Sequence, residues 1–558
     1  MSAPMAYEAS EWDGTRFGRE ESTGVVMGLG WDQVIFLGVG VLICVPIVVA
    51  VGFPTGLLIA LVIGGGFALV GIPRVMGKSL IRWAFTIMKF GWRKKQGQTE
   101  YVQPVDGLEA GLDATGTIYR QNELVAPGDS QVLPDYESVD GPIRPEDDTP
   151  RNKKGRIKPG KGHRFKLPGE INELRVFQQP GGAAFVYDPR RKEAVVVAAI
   201  MTDKAFALEA FEDKEDRLRA WAGVLSGLSR IPGVARLQFS DQTTIISGAK
   251  VMAWYERKRL EAPTRDIDGD QVQMSGPGID PILDGSFVEM MNHQDGQSLH
   301  EPWLTIVLSQ DVLARRIQAN GGKLRGFMDT ALGVMRVVES ALPDSGTRVV
   351  KWHTPRSLAA LIRSGFDPLS TMEISDREGD FAGVAPDSAG PMHAEWTLDR
   401  FESDGALHRS FVISEWPQAQ AQLGFLDRFI FAGEFRHTVS LYVKPRDTRK
   451  ALKDNERRKA DWQTNETVRS RLGKQPSLRH TRQIEDIERE EAELVESHAP
   501  VKIACLITVS ATTEQELEAN CGDLRTRAAE AGCEIRLLGG EQDSGFIAGA
   551  LPLGRLAL

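Results

Sequence analysis

At 558 residues, with 67 lysines and arginines against 76 aspartates and glutamates, the chain is too long for one small core and too acidic to coat nucleic acid along its whole length. Two or three domains with ample burial are expected. The four cysteines, Cys44, Cys505, Cys521 and Cys533, have neither CxxC nor zinc-ligand spacing and read as reduced, buried small hydrophobes.

Residues 1–33 are acidic and lack a basic n-region, so the apolar run behind them does not belong to a cleavable signal peptide. Val34 to Phe53 carries no charge and matches the ~20 residues that a helix needs to cross hydrocarbon. Pro54, Thr55 and Gly56 supply a turn, and Leu57 to Ile72 is a second, shorter uncharged run in which Gly64 to Gly66 permit close helix packing. Residues 34–72 are therefore expected to form a transmembrane hairpin.

Beyond it lie Arg74, Lys78, Arg82, Lys89, Arg93, Lys94 and Lys95, whereas the turn between the runs is uncharged. The positive-inside rule then places both termini in the cytoplasm of a multi-pass inner-membrane protein. Read as a helix, 73–95 gathers Lys78, Arg82, Lys89 and Arg93 on one face and Ile81, Phe85, Met88 and Trp92 on an adjoining one. That layout suits the lipid surface, with packing on the soluble part as the alternative. Gly71 to Ser79 has five residues between its glycines where a phosphate loop needs four, and it comes after a span instead of a strand, so no nucleotide site is assigned.

Residues 96–167 read as a disordered linker that changes sign. Gln103 to Pro150 holds eleven acids against Arg120 and Arg144, and Arg151 to Lys166 holds eight bases and no acid. The basic part is read either as a contact for anionic lipid or nucleic acid, or as a solvated stretch attracted to its acidic neighbour.

A first cytoplasmic domain is expected over 168–390. Ala184 to Tyr187 and Glu193 to Ile200 flank the turn signal Asp188-Pro189-Arg190 as a hairpin, and Leu218, Trp221, Val224, Leu225 and Leu228 have helical spacing. Ala235, Leu237 and Phe239 alternate with Arg236, Gln238 and Ser240 as a strand. Thr264 to Gly296 reads as a loop; its Asp266 to Asp270 looks like a calcium loop, but Gln271 and Pro277 stand where the glycine and the closing glutamate belong. Trp303 to Ser309 is strand-like and Leu324 to Leu342 helical.

A second domain is expected over 391–558, with two βαβ units: Arg409 to Trp416, Gln418 to Ile430 and Thr438 to Val443, then Val501 to Ser510, Glu514 to Ala531 and Glu534 to Leu538. Between them, residues 447–497 form a charged helical hairpin with a basic first limb (Arg449, Lys450, Lys453, Arg457, Arg458, Lys459) and an acidic second one (Glu485 to Glu496). The fold class is thus α+β: an N-terminal transmembrane hairpin, cytoplasmic βαβ-containing domains and a charged helical hairpin.

Phe185-Val186-Tyr187-Asp188-Pro189 with Val195 to Ile200, Trp221 to Leu228, Arg236-Leu237-Gln238, Arg409 to Ile413 with Trp416-Pro417, Thr438 to Leu441 with Pro445, and Leu551-Pro552-Leu553-Gly554 give the chain from about Arg164 to Leu558 a diffuse likeness. It resembles the integral-membrane component of actinobacterial conjugation and type IV secretion-like clusters. That component is itself similar to the non-motor N-terminal part of the conjugation ATPase, behind a two-helix membrane subunit. In those ATPases the motor comes after the Leu-Pro segment, and only Arg555 to Leu558 come after it here, so the resemblance implies a separate translocation ATPase as partner. The 96–167 linker is longer than the family's pattern.

The nine histidines form no HExxH and no GxSxG elbow is present, so no catalytic, cofactor-binding or metal-ligating residue is assigned and the chain is not read as an enzyme. The expected role is an oligomeric, membrane-anchored platform for that ATPase, with a membrane-tethered nucleic-acid-binding protein as the alternative. The seven bases from Arg74 to Lys95 are the membrane-surface residues. Arg457, Arg458, Lys459, Leu551, Pro552 and Leu553 are the partner-docking residues, unless the C-terminal segment caps its own βαβ unit.

Overall fold

The computed structural model describes residues 31–71, 74–75, 78–103, 163–203, 210–246, 252, 255, 264–267, 270–273, 281–292, 297–377, 379, 382–417, 424–446, 448–471, 484, 487–492 and 500–556. Helix α1 (Trp31–Val51) is followed by α2 (Thr55–Gly71), which runs back along it. A Cβ on Gly40 would lie 2.7 Å from the Phe67 ring, so only glycine allows this approach, and Gln33 Nε2 donates to the Gly71 carbonyl at 2.7 Å. Among the described residues one helix, over Gln33–Val51, is long and apolar enough to cross a bilayer; α2 is apolar but has 17 residues.

A two-residue ladder, β1 (Arg74–Val75) with β2 (Lys78–Ser79), leads into α3 (Leu80–Lys95), which Ser79 caps by accepting from the Arg82 amide. The rest is a mixed α/β body. In chain order it contains β3 (Glu100–Val102), β4 (His163–Arg164), β5 (Arg175–Gln178), β6 (Ala184–Asp188), β7 (Glu193–Thr202), α4 (Phe211–Ser229) and β8 (Val234–Ile246). Then come the hairpin β9 (Thr264–Ile267) and β10 (Asp270–Gln273), α5 (Pro281–Asn292), β11 (Gln297–Ser309), α6 (Gln310–Ala319), α7 (Lys323–Ala341), β12 (Thr347–Trp352) and α8 (Pro355–Phe366). After a five-residue helix, Thr371–Ser375, come β13 (His393–Trp396), β14 (Phe401–Ser403), β15 (Ala406–Glu415), α9 (Asp427–Ile430), β16 (His437–Pro445), α10 (Thr448–Arg471), β17 (Val501–Ala511), α11 (Glu514–Glu530), β18 (Glu534–Leu537) and α12 (Gln542–Ala550).

Fourteen strands form one open sheet in the order β3-β13-β14-β15-β17-β16-β8-β11-β7-β6-β5-β4, with β12 also on β7 and β18 also on β15. The sheet corrects several expectations. It runs straight across the 390/391 boundary, because β8 pairs with β16. The expected linker supplies both sheet ends, β3 and β4, and Phe165 and Leu167 are fully buried; residues 104–162 lie outside the described residues. The expected loop at 264–296 holds the antiparallel pair β9–β10 and the helix α5. Of the expected helix 418–430, α9 is the helical part among the described residues, and 418–423 fall outside them.

The βαβ units are split. β15 and β16 are both antiparallel to β17, which lies between them, and β17 and β18 likewise flank β15. The same plan occurs in the first half: β7, α4, β8, β11, α6 with α7, and β12 give the order β12-β7-β11-β8, and β15, α9, β16, β17, α11 and β18 give β18-β15-β17-β16. The two halves meet edge to edge through β8 and β16. Ser240 lies opposite Ser440, so a local twofold axis passes between them and relates Arg236 to Arg436, Gln238 to Thr438 and Gln242 to Tyr442.

Both faces are covered, which is why Ala194 to Ala198 of β7 are buried without alternation. On one face α4, α6 and α7 pack over Phe185, Val196, Leu237 and Ile306, while α9 and α11 pack over Phe411, Ile507 and Val509. On the other, α8, α12 and the chain after α12 pack over Val186, Val197 and Val307. There the polar side of β8 is also buried: Gln238, Ser240 and Gln242 do not reach solvent.

Candidate functional site

Helix α3 presents two unlike sides. Toward the body, the Trp83 ring lies against Gly539, where a Cβ would come within 2.5 Å of it, and Phe90 is buried. Arg93 stacks over Trp396, with its guanidinium carbon 5.6 Å from the ring centre, and donates to Asp543 Oδ2 at 2.6 Å. Asp543 stands in the first turn of α12, where the helix dipole favours a carboxylate. A charged pair that is mostly removed from water holds more strongly than a surface pair. Away from the body, Phe85, Met88 and Trp92 are 62, 63 and 61 % exposed.

The sequence-predicted membrane-surface residues therefore divide. Arg82, Lys89, Lys94 and Lys95 are exposed on α3; Arg93 is turned inward; Arg74 and Lys78 lie in β1 and β2, with side chains outside the described residues. One side of the helix packs on the body, and of the apolar face expected from the sequence Ile81 is buried while Phe85, Met88 and Trp92 face outward.

The partner-docking residues divide as well. Arg457 is exposed on α10, but Arg458 pairs with Glu490 and Lys459 with Glu491, so the basic limb is partly neutralised by the acidic one. Leu551, Pro552 and Leu553 are buried, which corrects their assignment as a free docking surface. The reason is polar as much as apolar. Gln238 Nε2 donates to the Leu551 carbonyl at 3.0 Å and Gln238 Oε1 accepts from the Gly554 amide at 2.8 Å, while Arg236 donates to the Gly554 carbonyl and is held by Glu193. Arg555 pairs with Asp188, with both side chains nearly excluded from water. Burial raises the Tyr442 phenol far above its ordinary range, and its hydroxyl donates toward the carbonyls of Ala548 and Arg555.

This clasp has a counterpart across the axis. Arg436 Nη2 donates to the Ser364 carbonyl at the end of α8, and Nη1 donates to Thr244 and Thr371. Each half thus grips the segment beyond the other half's last strand, using an arginine at the start of its seam strand. Burial lowers the Arg436 pKa to about 10. Sequence reasoning missed Asp543, Arg436 and the seam serines. The polar alternation of Arg236, Gln238 and Ser240 was the available signal, but it reads equally as a solvent face.

No group of three or more metal-ligating side chains occurs among the described residues. Neither a known protein-family model nor any curated protein matches the sequence.

Proposed function

We propose that the chain is a non-enzymatic, membrane-anchored assembly platform: α1 and α2 cross the inner membrane as a hairpin, both termini are cytoplasmic, and the α/β body recruits a separate translocation ATPase of a type IV secretion-like or conjugation machine. The observation that carries the anchoring is the pair of outward-facing apolar helices, with Leu42, Val49, Val62 and Leu69 exposed, coupled to a large body through a docked α3. Such surface in water would be an aggregation site, whereas in lipid it needs no partner. The ATPase partner rests on the likeness to the secretion component. Of the expected docking residues, Arg457 is exposed on α10.

The test is purification of the tagged full-length chain from membranes in mild detergent, with identification of what accompanies it. Recovery of an ATPase, weakened by Arg457→Glu while membrane insertion persists, supports the platform. Absence of any ATPase from the wild-type preparation removes the partner from the reading.

A further inference from the structure

We propose that α3 lies in the headgroup layer of an anionic bilayer, with Phe85, Met88 and Trp92 toward the acyl chains and the body fixed to its opposite side. The inference rests on the membrane reading of α1 and α2 and adds the lipid class and the attitude of the body. Residues 85, 88 and 92 have the i, i+3, i+7 spacing of one helical face, and all three are exposed. Arg82 and Lys89 border that face on one side and Lys95 on the other, and α3 contains no acid. Long basic side chains in this position lay their stems along apolar surface and hold their charge at phosphate depth. The opposite side is already taken by Trp83 on Gly539, by Phe90 and by the Arg93–Asp543 pair, so α3 cannot roll its apolar face onto its own body.

Continuity and charge select the occupant. α3 touches both α1 and α2, so its apolar face extends the surface that those helices present to hydrocarbon. A neutral protein groove would satisfy the apolar residues but offer no opposite charge to Lys89 and Lys95 at its two borders; anionic headgroups satisfy both. The body is then held close to the membrane through α12, whose Asp543 receives Arg93.

The experiment uses the full-length chain in nanodiscs of phosphatidylcholine, with or without phosphatidylglycerol. In a Cys44→Ala background, in which the remaining thiols are buried, an environment-sensitive fluorophore is placed at Met88→Cys and, for reference, at Val312→Cys on the exposed side of α6. The expected result is a blue-shifted Met88 label that lipids brominated near the glycerol quench several-fold more than the Val312 label. That quenching should grow with phosphatidylglycerol. Replacing Arg82, Lys89, Lys94 and Lys95 by Gln should abolish the growth while the chain still co-elutes with the discs. The proposal is overturned if iodide reaches the Met88 label as readily as the Val312 label in discs that retain the protein. Shielding from iodide without quenching by brominated lipid overturns it too, because the occupant is then protein. Equal quenching in both lipid mixtures removes the anionic requirement. A chain that does not enter discs at all fails at the membrane reading, which co-elution alone reports.

Discussion

Ser240 and Ser440 face each other at the centre of the β8–β16 pairing with their hydroxyl oxygens 2.7 Å apart, and the surrounding geometry fixes which one donates. The Ser440 hydroxyl gives its proton to the Gly549 carbonyl at 2.8 Å, so the Ser240 proton goes to Ser440. Gln238 Nε2 donates to Ser240 at 3.0 Å and is within 3.3 Å of Ser440. Ser440→Ala therefore takes the hydroxyl donor from Gly549 and the acceptor from Ser240, whereas Ser240→Ala leaves Ser440 with Gln238 as a donor. In urea titrations Ser440→Ala should cost about 1 to 3 kcal/mol and Ser240→Ala less, and the double variant should cost close to the Ser440→Ala value. Equal single effects would refute this proton order.

Arg93 and Asp543 should act on α3 locally. Arg93→Ala or Asp543→Ala leaves a mostly buried charge without its partner and should cost about 1 to 3 kcal/mol of local stability. Hydrogen exchange over residues 80–95 should accelerate by one to two powers of ten, while β8 and β16 keep wild-type protection. Uniform acceleration through the sheet would contradict a local tether.

Leu553 separates a capping segment from a free one. Leu553→Ala removes a side chain with almost no exposure and should lower stability by about 2 to 5 kcal/mol, read as a drop in melting temperature. Leu369→Ala, at an exposed leucine on the same chain, should change it by less than about 0.5 kcal/mol. A Leu553→Ala protein as stable as wild type would restore the segment as a candidate docking arm.

Two histidines set a slope on stability against pH. His408 is fully buried between Ser403 and Ser510, and burial drives its pKa from the ordinary 6.5 to about 3; burial also drives His353 down to about 4. Both are neutral in the fold, so as pH falls below 6.5 the unfolded chain takes up protons that the folded chain refuses. Stability contributed by these groups is complete above about pH 7 and is lost from about 6.5 downward, with a limit near 1.4 kcal/mol per pH unit for each. Glu301 works in the opposite sense, since burial raises its pKa. The informative quantity is thus the difference between variant and wild type: His408→Gln should flatten the decline between pH 6 and 4.5 by about one histidine's share, and parallel curves would show that His408 is protonated in the fold.

Topology gives the fifth expectation. A cysteine at Thr55, at the start of α2, should react with an impermeant reagent from outside intact cells, and one at Gly473 should not. The reverse pattern would overturn the assigned orientation.

Alternation and helical spacing made most strands and helices legible. Leu237 and Phe239 of β8, Phe411 and Ile413 of β15 and Leu517, Cys521 and Leu524 of α11 all face the core that their periodicity implies. Neighbours were not legible, because period two reports that a residue is in a strand and says nothing of which strand lies beside it. The βαβ readings therefore found strands in the right relative direction but without the antiparallel strand between them. The duplication escaped for a similar reason. Along the seam, Arg236 and Ser240 keep their identities in Arg436 and Ser440, while Gln238 becomes Thr438 and Gln242 becomes Tyr442. In α3 the basic residues beside the apolar runs were visible, but the inward turn of Arg93 depends on an aspartate 450 positions away.

The antiparallel seam also gives the molecule a heading. The chain leaves β8 at Ile246 and β16 at Pro445 from opposite ends of the pairing, separated by about 35 Å for some ten residues of strand at ~3.3 Å each. One end leads into the β9–β10 hairpin and α5, and the other into the long charged α10. A truly twofold body would look alike from both poles. This one carries different equipment at equivalent places, so a ligand that reads one pole cannot read the other, and copies stacked in register inherit a direction, as cars in a train do, unless like poles meet.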